Sequence, residues 1–291
     1  MNVTRGRAIA LAASTLALPS CASSSNLRVG SKNFTESIVI AEIYAQALEA
    51  AGFRVERRFN LGSTQIVLAA MARGEVDLYP EYTGTALIDV LRHAPVRNAR
   101  AAYDIVRTAF ARTYGIDWLD PSPMNDSQGL ATTAAIAKRY GLRTLTDLAR
   151  VSSQLRLATI PEFVTRPDGL PGLARTYGMS FAAVKTYDIA LKYQALLAGS
   201  ADVATAFTTD GAIAAHHLVV LADDRHLWPP YNVAPLVRHA RLVQSPHIAT
   251  ALDAVSPHIT DAAAQSMNAS VENDQAEPSA VAAAFLRAIP R

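Results

Sequence analysis

The chain has one cysteine, Cys21, among 291 residues, so it closes no disulfide within itself. Its body holds no stretch near the roughly 18 consecutive apolar residues that a membrane-spanning helix needs. Nor is there a surplus of one charge. Arg5 and Arg7 lie in a segment expected to be removed, and without them 25 basic residues face 25 acidic ones. Nucleic-acid backbones are held by clustered Lys and Arg, so this balance argues against nucleic acid as a partner. The common marks of catalysis are missing too: there is no nucleophile-elbow serine, no zincin helix and no phosphate loop. The adjacent His216 and His217 lack the spacing that puts two metal ligands on one helix face. The expectation is a protein that is not an enzyme and carries neither cofactor nor metal.

What is present begins with an export signal. Arg5 and Arg7 precede an apolar run from Ala8 to Leu18 that is too short to anchor a chain, and small residues follow, so residues 1–20 read as a signal peptide. Cys21 closes Leu18-Pro19-Ser20-Cys21, which resembles a bacterial lipoprotein signal with Cys21 as the lipidated first mature residue. Pro19 is unusual there, and ordinary cleavage after Ala22 would leave no lipid. Residues 21–26 read as a tether. The expected location is the periplasm, with a lipid on Cys21 as the contact with the membrane.

From Leu27 onward, short strands alternate with helices, the pattern of an α/β fold. Leu27–Gly30 reads as a strand, with Asn33 placed to cap the next helix and Glu36 to answer it. Phe34, Ile38, Ala41, Ala45 and Leu48 follow helical spacing. A second strand alternates through Phe53, Val55, Arg57 and Phe59; a helix from Ser63 to Arg73 stops at Gly74, and a third strand runs from Val76 to Tyr79. This βαβαβ order predicts a mostly parallel sheet. The middle of the chain repeats the theme. There is a strand over Leu155–Thr159, a helix reaching Tyr177, a helix over Asp188–Ala198, and a strand over Asp202–Phe207. Aligned without gaps, Gly74 falls on Gly199, Asp77 on Asp202, Tyr82 on Phe207 and Thr83 on Thr208. Ligands of such sheets bind beyond the carboxyl ends of the strands, so two equivalent aromatic-Thr corners suggest two lobes sharing a cleft.

Three stretches carry more chemistry than a core requires. Gly30-Ser31-Lys32-Asn33 is a strand-to-helix turn where free N–H groups and Lys32 suit an anion, although a surface lysine beside a routine cap has the same sequence. Tyr79-Pro80-Glu81-Tyr82-Thr83-Gly84-Thr85 presents rings whose faces attract cations. Tyr79 reads as a packing residue and Tyr82 as a site residue. Pro161 to Pro171 is a proline-stiffened loop holding Arg166, which is either solvated or a bidentate carboxylate contact. Trp228-Pro229-Pro230-Tyr231 is a further stiff aromatic segment.

The segment from Val29 to Thr85, the run Glu162-Phe163-Val164-Thr165-Arg166-Pro167-Asp168-Gly169-Leu170-Pro171, the corner Thr208-Thr209-Asp210 and Pro229-Pro230-Tyr231 together resemble the osmoprotectant-binding proteins of ABC transporters, which bind glycine betaine, choline and related quaternary amines. The resemblance implies a two-lobed periplasmic-binding-protein fold of the type II kind. Residues 27–125 and 229–291 would form one lobe, residues 126–228 the other, and two strands the hinge. It implies cage walls at Tyr82, Phe207 and Tyr231 and carboxylate contacts at Lys32, Thr85 and Arg166. Gln128 stands where a further cage aromatic is usual, so one wall would be an amide. The implied partners are a small quaternary amine and the permease and ATPase subunits of an importer, with the binding protein itself a monomer. Another small cationic or zwitterionic metabolite, such as an amino acid derivative, is the alternative ligand.

Overall fold

The computed structural model describes residues 26–189 and 191–290; the signal segment and Cys21 lie outside the described residues. Two five-stranded sheets organise the chain. The first has the order β2-β1-β3-β10-β4, built from β1 (Leu27–Gly30), β2 (Val55–Arg58), β3 (Leu78–Tyr82), β4 (Ile116–Trp118) and β10 (Val233–Arg238). The second has the order β7-β6-β8-β5-β9, built from β5 (Gln128–Thr132), β6 (Arg156–Thr159), β7 (Ala183–Thr186), β8 (Val203–Phe207) and β9 (Val219–Val220). In both sheets three parallel strands are followed by one antiparallel strand, β10 or β5, and then an edge strand. Four of the five strands in each sheet run the same way, as expected of mostly parallel sheets, and one antiparallel strand is inserted among them. The inserted strand comes in each case from the far side of a crossover, which a βαβ pattern read locally does not reveal.

Helices cover these sheets. Helix α1 (Thr35–Ala50) and α2 (Thr64–Ala72) alternate with the first strands, and α3 (Ala99–Tyr114) leads into β4. Asn98 caps α3 by accepting from the N–H of Ala101 at 2.9 Å. The segment after β6 is helical, not a loop: α4 (Pro161–Thr165) starts on a proline, which suits a first turn whose N–H has no partner anyway. Next come α5 (Leu170–Tyr177), α6 (Lys192–Leu197) and α7 (Gly211–Ala215). The chain closes with α8 (Asp261–Glu272) and α9 (Pro278–Ala288); α9 packs along α1, and α8 lies against both α1 and α7.

The two halves repeat in hydrogen bonds as well as in sequence. Asp77 accepts from the backbone N–H and the guanidinium of Arg28, and Asp202 does the same for Arg156. Gly74 and Gly199 end the preceding helices at φ of 71° and 69°, the left-handed conformation that favours glycine. Thr83 and Thr208 each hold the end of a crossing segment. The backbone N–H of Thr83 donates to Asn232 and that of Thr208 to Ser127, while each hydroxyl accepts the N–H of that same residue.

Between the sheets, two antiparallel segments cross. Ser122 N–H donates to the carbonyl of Val233 at 2.8 Å and Asp126 N–H to that of Tyr231 at 3.2 Å, while the Asn232 amide donates to the carbonyls of Ser122 and Met124. Only two strands pass between lobes here, so each lobe keeps its own sheet and the cleft opens beside the crossing.

Candidate functional site

A cavity of about 170 Å³ occupies that cleft. The carboxyl end of β3 contributes Tyr82, and Thr85 follows one turn on; the corresponding end of β8 contributes Phe207. Lys32 and Phe34 come from the turn after β1, Arg166 from the end of α4, and Tyr231 from the crossing segment. Six of the seven residues singled out in the sequence thus border one space: Lys32, Tyr82, Thr85, Arg166, Phe207 and Tyr231.

Gln128 does not border it. Its amide lies behind Tyr231, donating to Asp168 at 2.7 Å and to the Tyr231 hydroxyl at 3.1 Å. These two bonds hold the side chain in the wall of the cleft, where it supports a ring instead of replacing one. Asn33 likewise does not cap α1. The N-cap is Phe34, which makes no side-chain cap, and the Ser37 hydroxyl instead accepts the N–H of Lys32 at 2.9 Å. Glu36, freed from capping, accepts from the Tyr82 hydroxyl at 2.7 Å and from Asn268 at 2.9 Å. Tyr79 is wholly buried, its hydroxyl donating to Glu81.

Phe34, Asp126, Tyr187 and Asp188 also line the cavity, and no motif had singled them out as site residues. Helical spacing assigned Phe34 to the buried face of α1, but it precedes that helix and turns toward the cleft. Its ring lies 6.0 Å from that of Tyr82 and 6.5 Å from that of Phe207, parallel to the latter within 9°. The two lobes therefore meet ring against ring.

Both basic residues of the cavity are already paired. Lys32 is buried with its ammonium 2.7 Å from Glu81, which also accepts from the Thr64 hydroxyl. The same ammonium stands 4.4 Å from the Tyr82 ring centre and 5.4 Å from that of Phe34. Arg166 makes a two-pronged contact to Asp168, 2.9 and 2.7 Å. Burial works against its charge, but the hydrogen bonds and charge of Asp168 hold its pKa above the ordinary arginine value. Asp168 further accepts from the Tyr231 hydroxyl and from Gln128, and its backbone carbonyl takes the Trp228 indole N–H at 2.8 Å. Tyr231 is thereby fixed from its far end, and burial raises its pKa well above that of a free tyrosine.

Beyond Phe34 and Phe207 lies a second cavity of about 460 Å³, bordered by Glu36, Asp126, Asp210, Asn268 and Glu272. Asp210 is bound to Lys192 at 2.9 Å, and that ammonium lies 4.6 Å from the Phe207 ring centre. Burial raises the pKa of Glu36, partly offset by hydrogen bonds from Thr209, Tyr82 and Asn268. Asp126 is pushed well above the usual carboxylate range by burial and by the charges of Glu36 and Asp210. No group of His, Cys, Asp and Glu with metal-ligand geometry occurs among the described residues.

Known proteins place this architecture. The glycine-betaine-binding protein of Pseudomonas aeruginosa is 35% identical over 97% of this chain and 93% of its own length. The glycine betaine-binding protein YehZ of Escherichia coli is 31% identical over 99% and 97%. A crystal structure of a glycine betaine/carnitine/choline ABC transporter matches with a TM-score of 0.75 at 29% identity, over 90% of this chain and 98% of that one. The sequence profile for the substrate-binding domain of ABC-type glycine betaine transport systems matches residues 25–288. Two lobes, crossing strands and an aromatic-lined cleft accompany that match, and the chain belongs to this family of substrate-binding domains.

Proposed function

We propose that this protein captures a quaternary amine such as glycine betaine or choline outside the cytoplasm and presents it to the permease and ATPase subunits of an importer. The observation that carries the reading is the convergence of Phe34, Tyr82, Phe207 and Tyr231, from both halves of the chain, on one cavity at the hinge. An onium group has no N–H to donate, so ring faces and diffuse negative charge are what can recognise it. Residues 27–125 and 229–291 act as one lobe and residues 126–228 as the other. Ligand bridges them and shifts the population toward the closed form. Lys32, Thr85 and Arg166 take the carboxylate where the ligand has one, while Gln128 supports Tyr231 from behind. The protein works as a monomer in the periplasm, held to the membrane by a lipid on Cys21.

A thermal-shift panel of glycine betaine, choline, carnitine, proline betaine and common amino acids tests this directly. Ligand at about 100 times its Kd stabilises the fold by about 2.7 kcal/mol, so a true ligand raises the Tm and other compounds leave it unchanged. Tyr82→Ala and Tyr231→Ala should each weaken binding of the active amine by at least about tenfold without unfolding the protein. A panel in which only amino acids shift the Tm would refute the reading and favour the alternative, an amino acid derivative.

A further inference from the structure

We propose that Asp126 is the counter-ion for the ligand's positive charge, and that a cationic ligand binds with release of the proton this carboxyl otherwise holds. The inference rests on reading the cleft as a quaternary amine site and names the charge chemistry of that site.

The charges around the cavity do not balance. Lys32 and Arg166 are engaged by Glu81 and Asp168, so neither cation is in surplus. Glu162 and Asp188 lie at the exposed rim, in contact with water. Asp126 alone among the lining carboxylates is buried, 5% exposed, and it borders both cavities. One of its oxygens accepts from the Thr209 hydroxyl at 2.6 Å and the Thr209 N–H at 3.4 Å. It makes no ion pair among the described residues. The groups facing it from the surrounding elements are Glu36 on α1, Tyr82 on β3, Tyr193 on α6 and Asp210 just past β8. Two are carboxyls and two are phenols; the lysines of this region, Lys32 and Lys192, are paired with Glu81 and Asp210.

A buried carboxylate with two carboxyl neighbours and no counter-ion is costly, so the empty site keeps the group protonated. An onium group settling among Phe34, Tyr82 and Phe207 brings a full positive charge to the same wall. The carboxyl then ionises, its O–H bond breaks, and the proton passes to solvent while the ligand remains chemically unchanged. The signs are fixed by this order. The bound form holds fewer protons, so Kd falls as pH rises through the range in which the empty site is protonated. Asp126 also stands in the second half where Tyr231 stands in the first, since each directly precedes the residue that pairs with Thr208 or Thr83. One half supplies a ring and the other a charge.

The test is calorimetric titration of the full chain with choline, glycine betaine and the uncharged carbon isostere of choline, 3,3-dimethyl-1-butanol. Each is measured at several pH values in two buffers of different ionisation enthalpy. Choline should release up to about one proton at the acid end and none at the alkaline end, with the isostere releasing none. Asp126→Asn should abolish the release and weaken choline by at least about tenfold while leaving the isostere unchanged. Choline binding without proton release and with the same Kd in wild type and Asp126→Asn overturns the inference and leaves the transport reading standing. Absence of binding by both choline and betaine overturns the transport reading and this inference with it. Proton release is read on the wild type, so it decides the matter even if Asp126→Asn fails to fold.

Discussion

Gly84 is the position where one added carbon separates packing from recognition. A Cβ built there meets three carbons of the Tyr231 ring at 2.5, 2.6 and 2.7 Å, about 1 Å inside ordinary carbon–carbon contact. The ring cannot simply swing aside. Its hydroxyl is bound by Asp168 and Gln128, and its own N–H donates to Asn125 at 2.7 Å. Gly84→Ala must therefore strain the corner or break hydrogen bonds worth about 1 kcal/mol each, and overpacking of this kind costs roughly 1–3 kcal/mol. A displaced ring also forfeits its share of cation attraction, about 0.5–2 kcal/mol, or roughly two- to thirtyfold in Kd. Urea unfolding and calorimetric binding of the preferred amine measure the two effects separately. In a Tyr231→Ala background the methyl has nothing to strike, so Gly84→Ala should then cost almost nothing in either assay. A full-sized loss in that background, or none in the wild type, would refute the reasoning.

Further outcomes follow from the buried charges. Glu81→Gln leaves the Lys32 ammonium without its counter-ion and should cost about 3–5 kcal/mol in urea unfolding, with Lys32→Met added to it recovering part of the loss. The twin Arg–Asp clasps share geometry but not burial. Asp77 is fully buried beneath Arg28, Arg238 and Arg241, whereas the Asp202 side chain is 20% exposed. Asp77→Asn should therefore cost about 3 kcal/mol or more and Asp202→Asn less than about 1 kcal/mol. Glu272 has its pKa raised to about 7, by burial and then by the charge of Asp210. The folded state then holds its proton more tightly than the unfolded chain, so stability falls as pH climbs from about 4.5 to about 7. Glu272→Gln should flatten that fall in urea midpoints taken across the window, reduced by solvent screening at this partly exposed group.

Much of the fold could be read in advance because its punctuation is local. Gly74 and Gly199 mark helix ends by a conformation few other residues accept, and Asp77 and Asp202 mark strand starts by binding an arginine one strand away. The antiparallel strands were hidden because their partners are remote. Val233–Arg238 pairs with β3 from over a hundred residues away, and Pro235 within it interrupts any simple strand signal. Tyr82, Phe207 and Tyr231 were legible as aromatics at strand ends or in stiff segments. Phe34 stands on the helical spacing although it is the N-cap, outside the first turn, and nothing in a periodic pattern says where the first turn begins. Gln128 and Asp126 stand two apart, so strand alternation alone would put both on one face. What separates them is remote: Asp168 and Tyr231 draw the Gln128 amide into the wall, while Thr209 holds Asp126, which precedes β5. The pairing of Lys32 and Arg166 was equally invisible, since Glu81 and Asp168 look like ordinary motif residues until the side chains are placed.

The helix at Asp261–Glu272 adds a further seam between the halves, apart from the crossing strands and the facing rings. Its Asn268 amide spans Glu36 and the Thr209 carbonyl, and Gly211 lies so near Ala269 that a methyl group would come within 2.9 Å of its nitrogen. Parting the halves tears this seam whether or not a guest is present. If the vacant receptor opens and shuts as proposed, this seam favours its shut form, and apparent affinity scales with the fraction that rests shut. Substitutions at Asn268 or Gly211 should retune uptake of every guest by one common factor, leaving the ranking among guests to the rings and charges within.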